Sequence, residues 1–305
     1  MSVALIYDPI FLEHDTGTGH PECAERLHSI LRYIAPFRDA LLWLEPIPAS
    51  HEQLLLVHPD EHIALVEHAS NTQSPIDADT QTSYDSYDAA LKAAGAGISA
   101  VNAISSGKAF ASFAAVRPPG HHATTHRSMG FCLFNNIAIT ARYAQEMGYE
   151  KVLIVDFDVH HGNGTQEIFY DDRSVFYFSS HQYPAYPGSG ASDETGSGEG
   201  EGFTMNFPLA PGSGDEDILP LYEESLSEVA AIFQPDIILV SAGYDLHRAD
   251  PLASLNVTTE GIVQIVAAIM ECYDVPKLFF LEGGYNIEAL GECVAKTIKT
   301  MQHCG

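Results

Sequence analysis

Asp158 and His160 stand two residues apart in the run Asp156-Phe157-Asp158-Val159-His160-His161. In an extended segment that spacing puts both side chains on one face, aimed at one site. Alone, an Asp-x-His pattern fits an acidic strand end that caps a helix or meets solvent. Asp245, at the end of another apolar run, adds a second carboxylate. One imidazole and two carboxylates leave coordination positions open for water and substrate, which suits a catalytic Zn²⁺ or Fe²⁺. Structural zinc is usually closed by four protein ligands, often thiolates. His121 and His122 follow Arg117-Pro118-Pro119-Gly120, whose prolines stiffen the approach. Amide hydrolysis at a metal needs a base for the water proton and an acid for the leaving amine, and a histidine serves as both near neutral pH. Asp156 is available to fix the tautomer of such a histidine. Tyr285, behind Gly283 and Gly284, supplies a hydroxyl able to polarise a carbonyl across from the metal. In isolation, a His-His pair reads as a surface loop and a Gly-Gly-Tyr as a turn with a packed aromatic; together with the acidic residues they read as an active site.

These groups need a scaffold that brings distant segments to one end. Apolar or β-branched runs at Val3–Asp8, Ala111–Val116, Lys151–Asp158, Val175–Ser180, Asp236–Asp245 and Lys277–Gly283 read as strands. Several are apolar on both faces, as buried parallel strands are. Helical patterns at Ser83–Ser106, Asn136–Met147, Asp217–Phe233 and Thr259–Tyr273 alternate with them. The alternation predicts a parallel sheet with helices on both sides. Ligands bind beyond the carboxyl ends of such strands, where the candidate residues fall. No repeat or linker interrupts the chain, so residues 1–305 read as one domain. His181–Gly202, rich in Gly, Ser and Pro, reads as a mobile surface loop; its glycine run is followed by no Lys-Ser/Thr, which excludes a P-loop.

Composition narrows the function class. The 41 acidic residues outnumber the 14 basic ones, giving a formal net charge of −27. Such a surface repels nucleic-acid phosphates and suits cationic partners, although solubility explains it equally well. Five scattered cysteines without a C-x-x-C pair fit a reducing compartment. No apolar run approaches the roughly 20 residues of a spanning helix. The N-terminus reads as a first strand and not a signal peptide. The expected location is the cytoplasm, with no membrane partner.

His20-Pro21-Glu22, Arg117–His122, Gly130–Asn136, Asp156–Gln166, Asn206–Leu209, Ser241–Leu252 and Glu282–Asn286 resemble, in order and separation, the motifs of the histone deacetylase superfamily. The likeness spans nearly the whole chain. It implies a single-domain, three-layer α/β/α fold of the arginase/deacetylase type with a mostly parallel central sheet. Asn163, at a position where class I members carry aspartate, and the run starting His20-Pro21-Glu22-Cys23 look like the class II branch. Carried over by position, the resemblance implies one Zn²⁺ held by Asp158, His160 and Asp245. It makes His122 the general base and acid, with Asn163 as its partner, and pairs His121 with Asp156. Tyr285 would polarise the acetyl carbonyl. Phe131 would form one wall of a narrow channel and Tyr186 the other, where the family usually has phenylalanine. Gly120 and Gly284 would line that channel, Leu252 would sit at its mouth, and Arg26 on an acetate-exit path. A structural K⁺ would lie beside the zinc, held by backbone carbonyls and the Asp156 carboxylate, with Ser179 at a matching position. Asp77 and Asp79 read as helix caps.

The implied reaction is hydrolysis of the acetyl amide of acetyl-lysine in proteins or peptides. An acetylpolyamine deacetylase of the same chemistry is the first alternative. Polyamine-selective eukaryotic members carry an acidic residue after the Asp-Pro that follows the last zinc ligand, whereas Asp250-Pro251 is followed here by Leu252. A binuclear manganese hydrolase of the arginase type needs more carboxylates than these three ligands supply.

Overall fold

The computed structural model describes residues 2–304. Eight strands, β1 (Ser2–Ile6), β2 (Leu42–Leu44), β3 (Ala109–Ala114), β4 (Val152–Asp156), β5 (Val175–Gln182), β6 (Thr204–Leu209), β7 (Ile237–Ala242) and β8 (Lys277–Leu281), form one sheet. Its order is β2-β1-β3-β8-β7-β4-β5-β6, and every neighbouring pair is parallel. The helices Ser86–Ser105 and Asn136–Glu146 pack together, as do Glu25–Ile34, Thr259–Glu271 and Ile287–His303. The central strands β4, β7 and β8 are buried along their whole length, which accounts for their unbroken apolar runs. All five cysteines are free. Among the described residues, no helix is long and apolar enough to cross a membrane.

The strand ends differ from the sequence expectation in a way that matters for the site. The β4 ladder stops at Asp156, before Asp158 and His160. Beyond it, the Asp158 N–H donates to Asp156 Oδ1 at 3.1 Å and the His160 N–H to Asp158 Oδ1 at 2.8 Å. Side-chain acceptors replace the neighbouring strand as partners for the backbone and end the ladder. The two candidate ligands therefore hang from a loop, and β7 likewise ends at Ala242, three residues before Asp245.

Pro220 interrupts the helix expected over Asp217–Phe233. The segment divides into Asp215–Pro220, a wide π turn over Leu221–Ser225, and Leu226–Phe233, because proline lacks an N–H and forces the ladder to adjust. The expected loose loop is also more ordered than its composition implies. β5 continues to Gln182, and the Glu194 carboxylate accepts the N–H groups of Gly190 and Ala191 together with the Gln166 amide.

Candidate active site

The Asp158 and Asp245 carboxylates and the His160 ring present ligand atoms within 4.8 Å of one another, all beyond the carboxyl ends of β4 and β7. Backbone groups aim them. The Gly283 N–H donates to Asp158 Oδ2 at 2.8 Å and the Val159 N–H to Asp245 Oδ1 at 3.1 Å. A side chain at Gly283 would run into both carboxylates, which explains glycine there. Asp245 Oδ2 is buried and no donor meets it with hydrogen-bonding geometry. His160 Nδ1 lies 3.2 Å away but engages Asp158 Oδ1 at the same distance. An orphaned carboxylate oxygen beside an imidazole and a second carboxylate fits a divalent metal, and the donor set fits Zn²⁺ or Fe²⁺. Burial and then the neighbouring Asp158 push the Asp245 carboxyl up to about 7. Two carboxylates forced together in a buried site raise one of them in this way.

His121 and His122 have opposite environments. His121 Nδ1 is 3.0 Å from Asp156 Oδ2, which also accepts the Tyr177 hydroxyl at 3.0 Å. Burial disfavours the charged ring, but Asp156, Asp158 and Glu282 outweigh it and push His121 up to about 10. His122 is buried beside the His121 and His160 rings, and its pKa falls well below the usual histidine value. Its Nδ1 lies 2.8 Å from Asn163 Oδ1. An amide oxygen only accepts, so this contact assigns the proton to Nδ1 and leaves Nε2 with a lone pair.

A cavity of about 110 Å³ opens above this cluster, lined by His122, Phe131, His160, Tyr186, Leu252 and Tyr285. Phe131 meets the Tyr285 ring edge-on, with centroids 5.9 Å apart, and Tyr186 meets His122 at 5.1 Å. Phe131 adopts φ +70°, uncommon for a bulky residue and of the kind held in place at functional sites. Burial, followed by Asp245, raises the Tyr285 phenol well above its usual value, so it stays a neutral donor.

Residues 20–301 match the histone deacetylase domain family. The chain belongs to the histone deacetylase family. It is accordingly a hydrolase with the parallel α/β architecture of that family. It is 40% identical over 296 residues to a probable deacetylase of Archaeoglobus fulgidus, covering 94% of this chain and 82% of that one. A probable deacetylase of Methanothermobacter thermautotrophicus is 44% identical over 294 residues, covering 95% and 87%. Histone deacetylase 10, chloroplastic, of rice is 43% identical over 83% of this chain and 61% of its own. The crystal structure of the HDA15 HD domain superposes on 99% of this chain and 88% of its own, with a TM-score of 0.95 and 38% identity.

Gly120 and Gly284, expected to line the channel, have no room for a side chain. A Cβ on Gly120 would come within 2.6 Å of the Asn136 backbone nitrogen, and one on Gly284, at φ +117°, within 2.9 Å of Tyr244 Cβ. Helix packing and backbone conformation demand these glycines. Asp77 and Asp79 cap no helix. Asp77 Oδ1 accepts the N–H groups of Asp79 and Thr80, and Asp79 lies on the cavity wall. At Asp156 and Ser179, where K⁺ is expected, Asp156 Oδ1 accepts the Asp158 N–H, Asp156 Oδ2 lies 3.0 Å from His121 Nδ1, and Ser179 Oγ pairs with His181 Nδ1.

Arg26 is fully buried behind the site, 5.2 Å from the Tyr285 ring centroid. It donates to the Gly284 carbonyl at 2.8 Å and to Glu22 Oε1 at 3.1 Å.

Three buried acids that hold the site together lacked an assigned role in the sequence. Glu282 accepts the Gly120 and His121 N–H groups, at 2.7 and 3.2 Å. Asp250 accepts the Tyr285 N–H at 2.6 Å and the Leu252 N–H at 3.0 Å, tying the loop that follows Asp245 to the tyrosine loop. Glu22 makes a forked pair with Arg117 and a third contact with Arg26, all three side chains being fully buried. Burial raises the Glu22 carboxyl, but Arg117 and Arg26 outweigh it and hold it at about 2. A carboxyl depressed on folding stabilises above its unfolded pKa, and that contribution is lost as pH falls from about 4.5 toward 2. Glu22→Gln is expected to cost about 3–5 kcal/mol in urea unfolding at pH 7, because it strands two buried guanidinium groups. The difference from wild type should shrink below pH 4.

Proposed function

We propose that this chain hydrolyses the acetyl amide of N-ε-acetyl-lysine in proteins or peptides, releasing acetate, with one Zn²⁺ at Asp158, His160 and Asp245. The observation carrying this reading is the narrow aromatic cavity between Phe131 and Tyr186, which reaches His160 of the Asp158–His160–Asp245 cluster and whose sides hold His122 and Tyr285. An acetyl group on a thin alkyl stem matches that shape. A bound Zn²⁺ supplies a Lewis acid and lowers the pKa of water from about 15.7 toward 7. His122 Nε2, unprotonated in the tautomer that Asn163 selects, takes a proton from the attacking water and returns it to the departing amine. The Tyr285 hydroxyl donates to the acetyl oxygen as negative charge develops there. His121, held charged by Asp156, adds positive potential beside these groups.

Acetylated polyamines are the second substrate class, favoured by the net charge of −27. Leu252, 46% exposed at the mouth, offers no carboxylate to a second amine and favours the peptide. The discriminating experiment compares kcat/KM of zinc-loaded protein on an acetyl-lysine peptide and on acetylspermidine at matched ionic strength. The peptide is expected to win by at least about tenfold, or about 1.4 kcal/mol. A preference for acetylspermidine would overturn the substrate assignment and leave the chemistry intact.

A further inference from the structure

At the opposite end of the sheet lies a second cavity, of about 570 Å³, for which the deacetylase reaction has no use. Its volume falls inside the roughly 300–1,000 Å³ range of small-molecule sites. It forms where the helix Leu226–Phe233 leaves part of the sheet edge uncovered. Phe176 on β5 and Met205 on edge strand β6 face it, with Phe203 just before β6 and Val229, Ile232 and Phe233 from the helix. The three phenylalanine rings form a cluster, with centroids 5.6–6.1 Å apart. Ile232 is 84% exposed at the lip, so this apolar surface is open to solvent.

The rim of this cavity is cationic. Lys151 and Arg173 border it, two of only 14 basic residues in a chain with 41 acidic ones. Lys151 precedes β4 by one residue and Arg173 precedes β5 by two, and these strands pair with Val152 opposite Val175. Adjacent strands run about 4.8 Å apart, so the two cations are neighbours by construction. Lys151 Nζ sits 5.6 Å from the Phe233 ring centroid and donates to the Phe233 carbonyl at 3.1 Å. Arg173 meets Glu199 at 3.6 Å, but both side chains are exposed, so solvent screens the pair and leaves the guanidinium available.

We propose that this cavity binds a free single-chain fatty carboxylate, with its tail against Phe176, Phe203 and Phe233 and its headgroup at Lys151 and Arg173. An aromatic trough with paired cations at one end complements an anionic amphiphile, and it does so against the charge of the whole protein. β4 separates this site from the catalytic cluster by five residues, about 17 Å at 3.3 Å per residue. Fatty carboxylate and acetylated substrate can therefore be bound together.

Calorimetric titration of the full chain with dodecanoate below its micelle concentration tests this. One saturable site per chain is expected, at least tenfold tighter than dodecyltrimethylammonium, which has the same tail and the opposite charge. Arg173→Glu and Ile232→Glu, both at exposed side chains, should each weaken dodecanoate at least fivefold while the thermal midpoint stays within a few degrees of wild type. Three results would overturn the proposal. They are no saturable binding, equal or tighter binding of the cationic amphiphile, and binding that neither substitution changes. Attachment to phosphatidylglycerol vesicles without binding of monomeric dodecanoate would also overturn it, in favour of a membrane surface.

Discussion

Asp245→Asn is expected to abolish metal binding at the three-residue cluster while making the metal-free protein more stable. The substitution keeps the Oδ1 that accepts the Val159 N–H and replaces the orphaned Oδ2 with an amide nitrogen that cannot act as a ligand. Loss of a direct ligand should weaken zinc affinity by more than the about 10–100-fold that removing an outer supporting group costs. Acetyl-lysine hydrolysis at a fixed zinc concentration should fall to background. Without metal, Asp245 is a carboxyl buried against Asp158 and raised to about 7. A carboxyl raised on folding stabilises the fold below its unfolded pKa and loses that contribution as pH rises through the folded value. The metal-free wild type therefore loses stability between about pH 4 and 7, whereas asparagine does not titrate. Metal-free Asp245→Asn should exceed metal-free wild type by about 1–3 kcal/mol at pH 8, with no advantage at pH 4. Zinc should reverse the order by stabilising only the wild type. Thermal unfolding of both proteins, with and without zinc, reads out all four states. Equal stabilisation of both by zinc would remove Asp245 from the ligand set.

His122→Ala is expected to lower kcat by about 10²–10⁴-fold, the usual worth of a positioned acid or base, with zinc affinity essentially unchanged. The Nδ1 hydrogen bond to Asn163 and the burial that keeps the ring neutral both prepare it to accept a proton. Tyr285→Phe removes a single donor to the developing oxyanion and should cost about 10²–10³-fold. The two variants differ in their pH profiles. Tyr285→Phe should retain the limb set by His122, and His122→Ala should lose it. An unchanged profile in His122→Ala would assign the base elsewhere.

The legible part of this protein was the part written in short-range pattern. β4, β7 and β8 are apolar runs ending in Asp, His and Gly-Gly-Tyr, so both the parallel sheet and its chemically loaded end could be read from the residues. The edge strands were not legible. β2 has three half-buried residues, and β6 carries Pro208, which an edge strand tolerates but which breaks any simple strand pattern. Supporting acids were invisible for a different reason. Besides near neighbours, each of Glu22, Asp250 and Glu282 binds a group 35 to 162 residues away in sequence, as in the contacts of Asp250 with Tyr285, Glu22 with Arg117 and Glu282 with Gly120. Spacing along the chain carries no trace of such partners. Arg26 illustrates the same limit: its i, i+4 relation to Glu22 suggests a surface ion pair, yet both are buried and face Arg117 and Tyr285. The motifs around Gly120 and Gly284 do not reveal that packing against Asn136 and a positive φ also require glycine there.

The most direct test follows acetate release from an acetyl-lysine peptide by protein stripped with a chelator and then titrated with zinc. Activity should be absent in the stripped protein and rise linearly to a plateau at one zinc per chain, with Asp245→Asn silent throughout. Hydrolysis that survives stripping, or that Asp245→Asn supports equally, would contradict the assignment of catalysis to the Asp158–His160–Asp245 cluster.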